Sequence, residues 1–204
     1  NIAKPRSFCP NCFSTLSYYS LIPLFSYLIQ RGKCLRCSKK ISIEYPFYEL
    51  LIAFLFLFSF LLEDYIFTDF FIIFVVILIS RIDYRFFKIP ISLNFLVLSA
   101  SIVKAYLISN WSSFFLGLLI SGVGLLFIKL ITEKIIKKES LGLGDIFLIS
   151  FICSYFGPLS IPSILFTSSF LGIIYIFSQK NIDFKKKIPF GPFISVAAIL
   201  YLFF

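Results

Sequence analysis

Residues 69–90 read DFFIIFVVILISRIDYRFFKIP. From Phe70 to Ile79 every side chain is apolar; then Arg81, Asp83, Arg85 and Lys88 crowd into a stretch closed by Pro90. Apolar runs of roughly 17 to 25 residues are long enough to cross a hydrocarbon core about 30 Å thick, and basic residues at their ends report which side of the membrane they face. Working outward, the same alternation repeats to the end of the chain. It predicts spans near 46–62, 66–83, 91–108, 113–132, 142–157, 161–178 and 188–204. The composition agrees: 204 residues, 59% hydrophobic, 29 Phe, and a mean hydropathy of +0.98 take the chain out of the soluble class. An all-α polytopic membrane protein with about seven transmembrane helices is expected.

The basic residues give the orientation. All but Lys104 and Lys129 of the nineteen Lys and Arg fall in residues 1–45 or in the connections 81–90, 133–140 and 179–187, which alternate along the chain and so share one side. The other connections read EDYIFT, SNWS and GPLS. The basic side is therefore expected to be cytoplasmic. The net charge of +9 is explained by this topology, and nucleic acid is not expected as a partner. With no histidine in the chain, Ser-His and Cys-His catalysis and His-ligated zinc proteases are excluded, leaving carboxylates for acid–base work. A chain that opens at Asn1 and contains no Met is expected to lack its natural N-terminus, so an upstream signal or span is not judged.

Two domains are expected: 1–45, polar and basic, and 46–204, the transmembrane helical part. The first holds Cys9-x-x-Cys12 and Cys34-x-x-Cys37, separated by 21 residues. Each pair can bite one metal from a tight turn, and four thiolates complete a closed tetrahedral zinc site of structural type. Disulfides are the alternative, but they need an oxidising compartment, and the cysteines lie on the cytoplasmic side. Cys153 reads as a small buried hydrophobe within an apolar run.

Asp83 closes the second expected span just before the cytoplasmic connection, and Asp145, in GLGD (residues 142–145), opens the fifth just after one. Topology alone sets both carboxylates at one depth, just inside the cytoplasmic boundary. Carboxylates within a membrane are expensive and read as functional by default; two within hydrogen-bonding reach would share a proton and perform aspartic-protease chemistry. The plain alternative makes Asp145 a helix N-cap and Asp83 an interfacial charge paired with Arg81 or Arg85. Of the other acids, Glu63, Asp64 and Asp69 lie toward the external side, Glu133, Glu139 and Asp183 sit beside lysines, and Glu44 and Glu49 flank the first span.

These residues resemble the type IV prepilin leader peptidases, GxGD intramembrane aspartic peptidases of type IV pilus and type II secretion systems. PRSFCPNC with LIPLFSYLIQRGKCLRC is similar to the family's four-cysteine segment and ISIEYPFYELL to the start of its next span. IDYRFFKIP, an aspartate seven residues before proline, resembles its first catalytic motif, GLGD its second, and KKIPFGPFIS the segment before its last span. The resemblance implies eight membrane helices, the first upstream of residue 1, and Asp83 and Asp145 as the catalytic pair. It implies a hydrolase of the bacterial inner membrane that cuts a basic leader from prepilins or pseudopilins after a glycine, on the cytoplasmic side. It also implies N-methylation of the new amine with S-adenosylmethionine as cofactor, by residues the sequence does not identify. Where the family usually has lysine two residues after the GxGD aspartate, this chain has Phe147. A carboxylate-based transporter and a non-catalytic zinc-containing scaffold are the alternative readings.

Overall fold

The computed structural model describes residues 7–62, 66–137, 141–178 and 188–203, which divide into two compact units, Asn1–Leu61 and Leu62–Phe204. Among the residues singled out above, Lys4, Arg6, Glu63, Asp64, Lys138, Glu139, Lys180, Asp183, Lys185, Lys186 and Lys187 lie outside the described residues. No strand is present among the described residues, and helices dominate.

The first unit contains a 3-10 turn at Tyr18–Leu21, a short helix α1 (Phe25–Ile29) and the long helix α2 (Glu44–Leu62). Ahead of them come two loops of the same construction. In the first, the Cys9 N–H donates to Ser14 O, the Phe13 N–H donates to Cys9 O, and Phe8 bridges to Thr15. In the second, the Cys34 N–H donates to Lys39 O, the Ser38 N–H donates to Cys34 O, and Lys33 bridges to Lys40. Each loop turns on a residue in the left-handed region, Phe13 at φ 52° and Ser38 at φ 57°. One C-x-x-C sequence spacing thus yields one turn geometry twice.

The second unit is a bundle of α3 (Ile66–Phe86), α4 (Ile91–Ile108), α5 (Trp111–Ile136), α6 (Leu143–Phe156), α7 (Ser160–Ser178) and α8 (Gly191–Phe203). α6 packs most heavily on α5 and α4, α3 on α8 and α4, and α7 on α8. Among the described residues α4, α5 and α7 are long and apolar enough to cross a membrane. α3 is 21 residues long but carries Asp69, Arg81, Asp83 and Arg85. α6 and α8 have only 14 and 13 residues, so each rises about 20 Å, short of a core of about 30 Å. α6 is also the most enclosed, with Ile146, Leu148, Ile149, Ile152 and Cys153 almost without exposed surface.

Local chemistry sets the helix ends. α3 runs one turn past Asp83, to Phe86, because Phe87 takes φ 53° and its N–H caps the Asp83 carbonyl before Pro90 forces an extended backbone. α4 stops at Ser109 (φ 55°), and Asn110 accepts the Ser113 N–H at 3.1 Å to start α5 two residues earlier than its apolar run suggests. α8 begins at Gly191 rather than residue 188, since Pro189 disfavours helical backbone at the residue ahead of it. Between helices, the Ser101 hydroxyl donates to Phe151 O at 2.9 Å and the Ser195 hydroxyl to Val76 O at 2.9 Å, the short polar links that hold helices where hydrophobicity gives no preference over lipid.

α5 and α6 approach one another closely at Gly117. A Cβ on Gly117 would stand 2.2 Å from the Cys153 carbonyl oxygen, whereas one on Gly124 in the same helix meets nothing within 4 Å. Gly117→Ala is therefore expected to destabilise the bundle by about 1–3 kcal/mol, and Gly124→Ala to change it by less than about 1 kcal/mol. Equal unfolding transitions of the two detergent-solubilised variants would contradict this packing.

Candidate active site

Asp83 lies in the last turn of α3 and is almost fully buried, with 5% of its surface exposed. Its Oδ2 accepts the backbone N–H of Gly191, the first residue of α8, at 2.8 Å. A Cβ on Gly191 would stand 2.8 Å from that same oxygen and 3.1 Å from the Asp83 Cβ. Only glycine lets the start of α8 close onto the carboxylate, which explains the glycine in the FGP segment. An N–H at a helix start is a natural partner for an anion.

Asp145 is the third residue of α6. The N-cap is Gly142, in extended conformation, so Asp145 is not itself the N-cap. Its carboxylate reaches back and accepts the Gly142 N–H, the acidic half of a capping box. A Cβ on Gly142 would come within 2.9 Å of its Oδ2. The charges of Asp83 and Asp145 act directly on one another. The two residues are 62 positions apart in sequence.

The two motifs are also joined through their backbones. Ile89, in the turn after α3, lies against Gly144, where a Cβ would meet its side chain at 3.2 Å. The Asn94 amide, buried in the first turn of α4, donates to Gly144 O at 3.2 Å, and its Oδ1 is buried with no hydrogen-bond partner. Sequence reasoning missed Asn94. The available signal was an amide within an apolar run, four residues after the motif proline. Phe147 is turned about 200° around α6 from Asp145; its half-exposed ring stacks on Phe151 with centroids 5.9 Å apart.

A second polar cluster lies at the other end of the same helices. Asp69, in the first turn of α3 and wholly buried, accepts the Tyr155 hydroxyl and pairs with Lys104 Nζ at 3.4 Å. The ammonium also sits 4.1 Å from the centre of the Tyr155 ring. The sequence places Asp69 only among the acids toward the external side. What signals it is Lys104, isolated in an apolar run near the same end.

All five cysteines are free. The Sγ atoms of Cys9, Cys12, Cys34 and Cys37 lie within 4.8 Å of one another, and Cys9 and Cys37 are 3.8 Å apart. Tetrahedral zinc–sulfur bonds of about 2.3 Å place thiolates about 3.8 Å apart, so the donor set fits such a metal ion. The Ser14 hydroxyl and backbone N–H hold the Cys12 thiol down to about 6, and the backbone N–H groups of Cys37 and Arg36 lower that of Cys34, which favours the thiolate form a metal needs.

Comparison with known proteins adds an independent line. Residues 1–62 match the family described as Bacterial Peptidase A24 N-terminal domain, and residues 70–177 match the Type IV leader peptidase family. The chain is 30% identical, over its whole length and 77% of the relative's, to the type 4 prepilin-like proteins leader peptide-processing enzyme of Escherichia coli O78:H11. It is 31% identical to prepilin leader peptidase/N-methyltransferases of Dichelobacter nodosus and Legionella pneumophila, covering 98% and 100% of this chain and 71% and 74% of theirs. No solved structure matches the chain.

The far cluster gives a direct stability test. Lys104→Met strands a buried carboxylate and is expected to cost about 3–5 kcal/mol, while Lys104→Met combined with Asp69→Asn restores part of that loss. A double variant no more stable than Lys104→Met, measured by unfolding in detergent, would show that the ion pair is not what holds this end.

Proposed function

Because the chain belongs to the type IV leader peptidase family, we propose that Asp83 and Asp145 are the catalytic carboxylates with which it cuts the leader peptides of type IV prepilins. The protein is a peptidase enzyme with the apolar helices of a bacterial membrane protein. None of the relatives named above is described as a transporter or a scaffold. The assignment is supported by Asp83, at the end of α3 against the first N–H of α8, and Asp145, in the first turn of α6, lying near enough for the charge of one to act on the other.

In the proposed cycle one carboxylate draws a proton from a water whose oxygen attacks the scissile carbonyl carbon. The other, protonated, donates to the carbonyl oxygen. Collapse of the tetrahedral species breaks the carbon–nitrogen bond as a proton passes to the departing nitrogen, leaving a carboxyl on the leader and a free amine on the mature chain. The two aspartates exchange roles over the cycle. The bundle supplies placement: the Gly191 and Gly142 N–H groups fix one oxygen of each carboxylate and leave the rest of each group for water and substrate. The alternating basic connections support a site at the cytoplasmic face of the inner membrane, reached by the leader while the apolar segment of the prepilin stays in the bilayer.

The four-thiol cluster is proposed to hold structural zinc. A metal would supply folding free energy there, since residues 7–43 contain only a four-residue 3-10 turn and a five-residue helix. The names of the relatives include N-methyltransferase, which supports methylation of the new amine from S-adenosylmethionine as a further activity.

Asp83→Asn or Asp145→Asn alone is expected to lower prepilin cleavage by a factor on the order of 10⁴ without loss of folded, inserted protein. Gly191→Ala, which displaces the Asp83 carboxylate, should lower the cleavage rate by roughly a hundredfold. Appreciable cleavage by either Asn variant would defeat the assignment. For the metal, elemental analysis should find one zinc per chain, lost in Cys9→Ser or Cys34→Ser. Zinc removal should render residues 7–43 sensitive to protease, since ions of this kind contribute about 10–16 kcal/mol to small domains. A metal-free chain with an intact, protease-resistant segment would contradict the role.

A further inference from the structure

Lys129 stands within GVGLLFIKLIT (residues 122–132), one of the two basic residues outside the four basic segments, and the peptidase chemistry described above makes no use of it. An ammonium in an apolar stretch of a membrane helix is costly and reads as functional by default. The other such residue, Lys104, is answered by Asp69 at the far end of the bundle. Lys129 is answered by backbone. Its side chain is 16% exposed, and Nζ donates to the Leu141 carbonyl oxygen at 2.8 Å. Glu133, one turn further along α5, lies at 3.4 Å, and its Oε1 has no hydrogen-bond partner. The ammonium is therefore directed at the chain just ahead of α6, with a loose ion pair behind it.

The Leu141 carbonyl belongs to the same planar peptide group as the Gly142 N–H, and that N–H is the one the Asp145 carboxylate accepts. In a trans peptide the oxygen and the hydrogen point opposite ways, so one rigid group carries Lys129 on one side and Asp145 on the other. A cation on the oxygen draws electron density through the amide and makes the N–H a stronger donor; chained bonds of this kind gain roughly 10–30% each. The same contact fixes the plane of the peptide. The hydrogen-bond ladder of α6 opens with the Gly142 carbonyl accepting the Ile146 N–H, so the Leu141 oxygen lies outside it and takes its donor from another helix. At the other end of this segment the Gly144 carbonyl, in the peptide that carries the N–H of Asp145 itself, accepts the Asn94 amide of α4 at 3.2 Å. α5 and α4 are the helices on which α6 packs most heavily. The residues leading into the carboxylate are thus held at both ends by side chains from its two main neighbours.

We propose that Lys129 is a positioning residue of the peptidase site, which sets the place of the Asp145 carboxylate and the strength of the bond it accepts through the Leu141–Gly142 peptide. The inference rests on the assignment of Asp145 as a catalytic carboxylate, and it adds a residue from α5, a helix that contributes neither aspartate. The peptide acts on the carboxylate whether or not substrate is present, so losing the cation slows the chemical step and leaves capture of the prepilin unchanged. It also matters that the donor is charged: a neutral donor can hold the carbonyl but polarises the peptide less.

The test is steady-state prepilin cleavage by the full zinc-loaded chain in detergent, with unfolding transitions measured beside it. Lys129→Met should lower kcat by about tenfold and keep KM within about twofold. Lys129→Arg, which keeps a cation within reach of the carbonyl, should return kcat to within about threefold of wild type, and Lys129→Gln, a neutral donor, should fall between the two. Glu133→Gln removes only the loose pair and should leave kcat within about twofold. Because Lys129→Met leaves a carbonyl unpaired and loosens the helix start, the Arg and Gln variants make the comparison at matched unfolding transitions. Wild-type kcat in Lys129→Met, a loss confined to KM, or an Arg variant as slow as the Met variant overturns the proposal. A dead Asp145→Asn chain beside an unaffected Lys129→Met removes this inference alone; an Asp145→Asn chain that still cleaves prepilin removes the catalytic assignment and this inference with it.

Discussion

Two carboxylates, near enough for the charge of one to act on the other, each meet the start of a helix. Asp83 is held by the first N–H of α8, and Asp145 by the N-cap N–H of its own α6. At both places the donor is glycine, and at both a Cβ would collide with a carboxylate oxygen. The positive end of a helix offsets part of the cost of holding an anion away from water.

The rest of the second unit follows from that requirement. α6 and α8 are the short helices, and both begin at the level of the aspartates instead of extending past them. α6 can be central because Gly117 lets α5 approach its backbone. The Asn94 amide, in the first turn of α4, ties that helix to the backbone just before the second aspartate. At the far end the Asp69, Lys104 and Tyr155 cluster joins α3, α4 and α6 again. The same three helices are therefore pinned at both ends, which resists the sliding that would separate the carboxylates.

Much of this was legible beforehand, for identifiable reasons. The alternation of apolar runs and basic connections announced an all-helical chain with membrane-capable helices, because a bilayer demands long apolar segments. The repeated C-x-x-C spacing carried its own turn geometry and hence the thiol cluster. What could not be read were contacts made by groups without a distinctive side chain. The Gly191 N–H lies 108 residues from Asp83 and has no pattern to announce it. The plain alternative that made Asp145 an N-cap fails, because Gly142 fills that position and Asp145 is the third residue of the helix. Asp83 looked like the end of its helix, but Phe87 adopts the left-handed cap and carries the helix to Phe86.

The central claim is that two acidic groups from separate helices work as a single catalytic unit. Its most direct measurement is the prepilin cleavage rate of the combined Asp83→Asn, Asp145→Asn chain set beside each single variant. Members of one unit are grossly non-additive, so the account predicts that the combined chain is no slower than either single one. Losses that multiply, with each carboxylate contributing independently of the other, would contradict it.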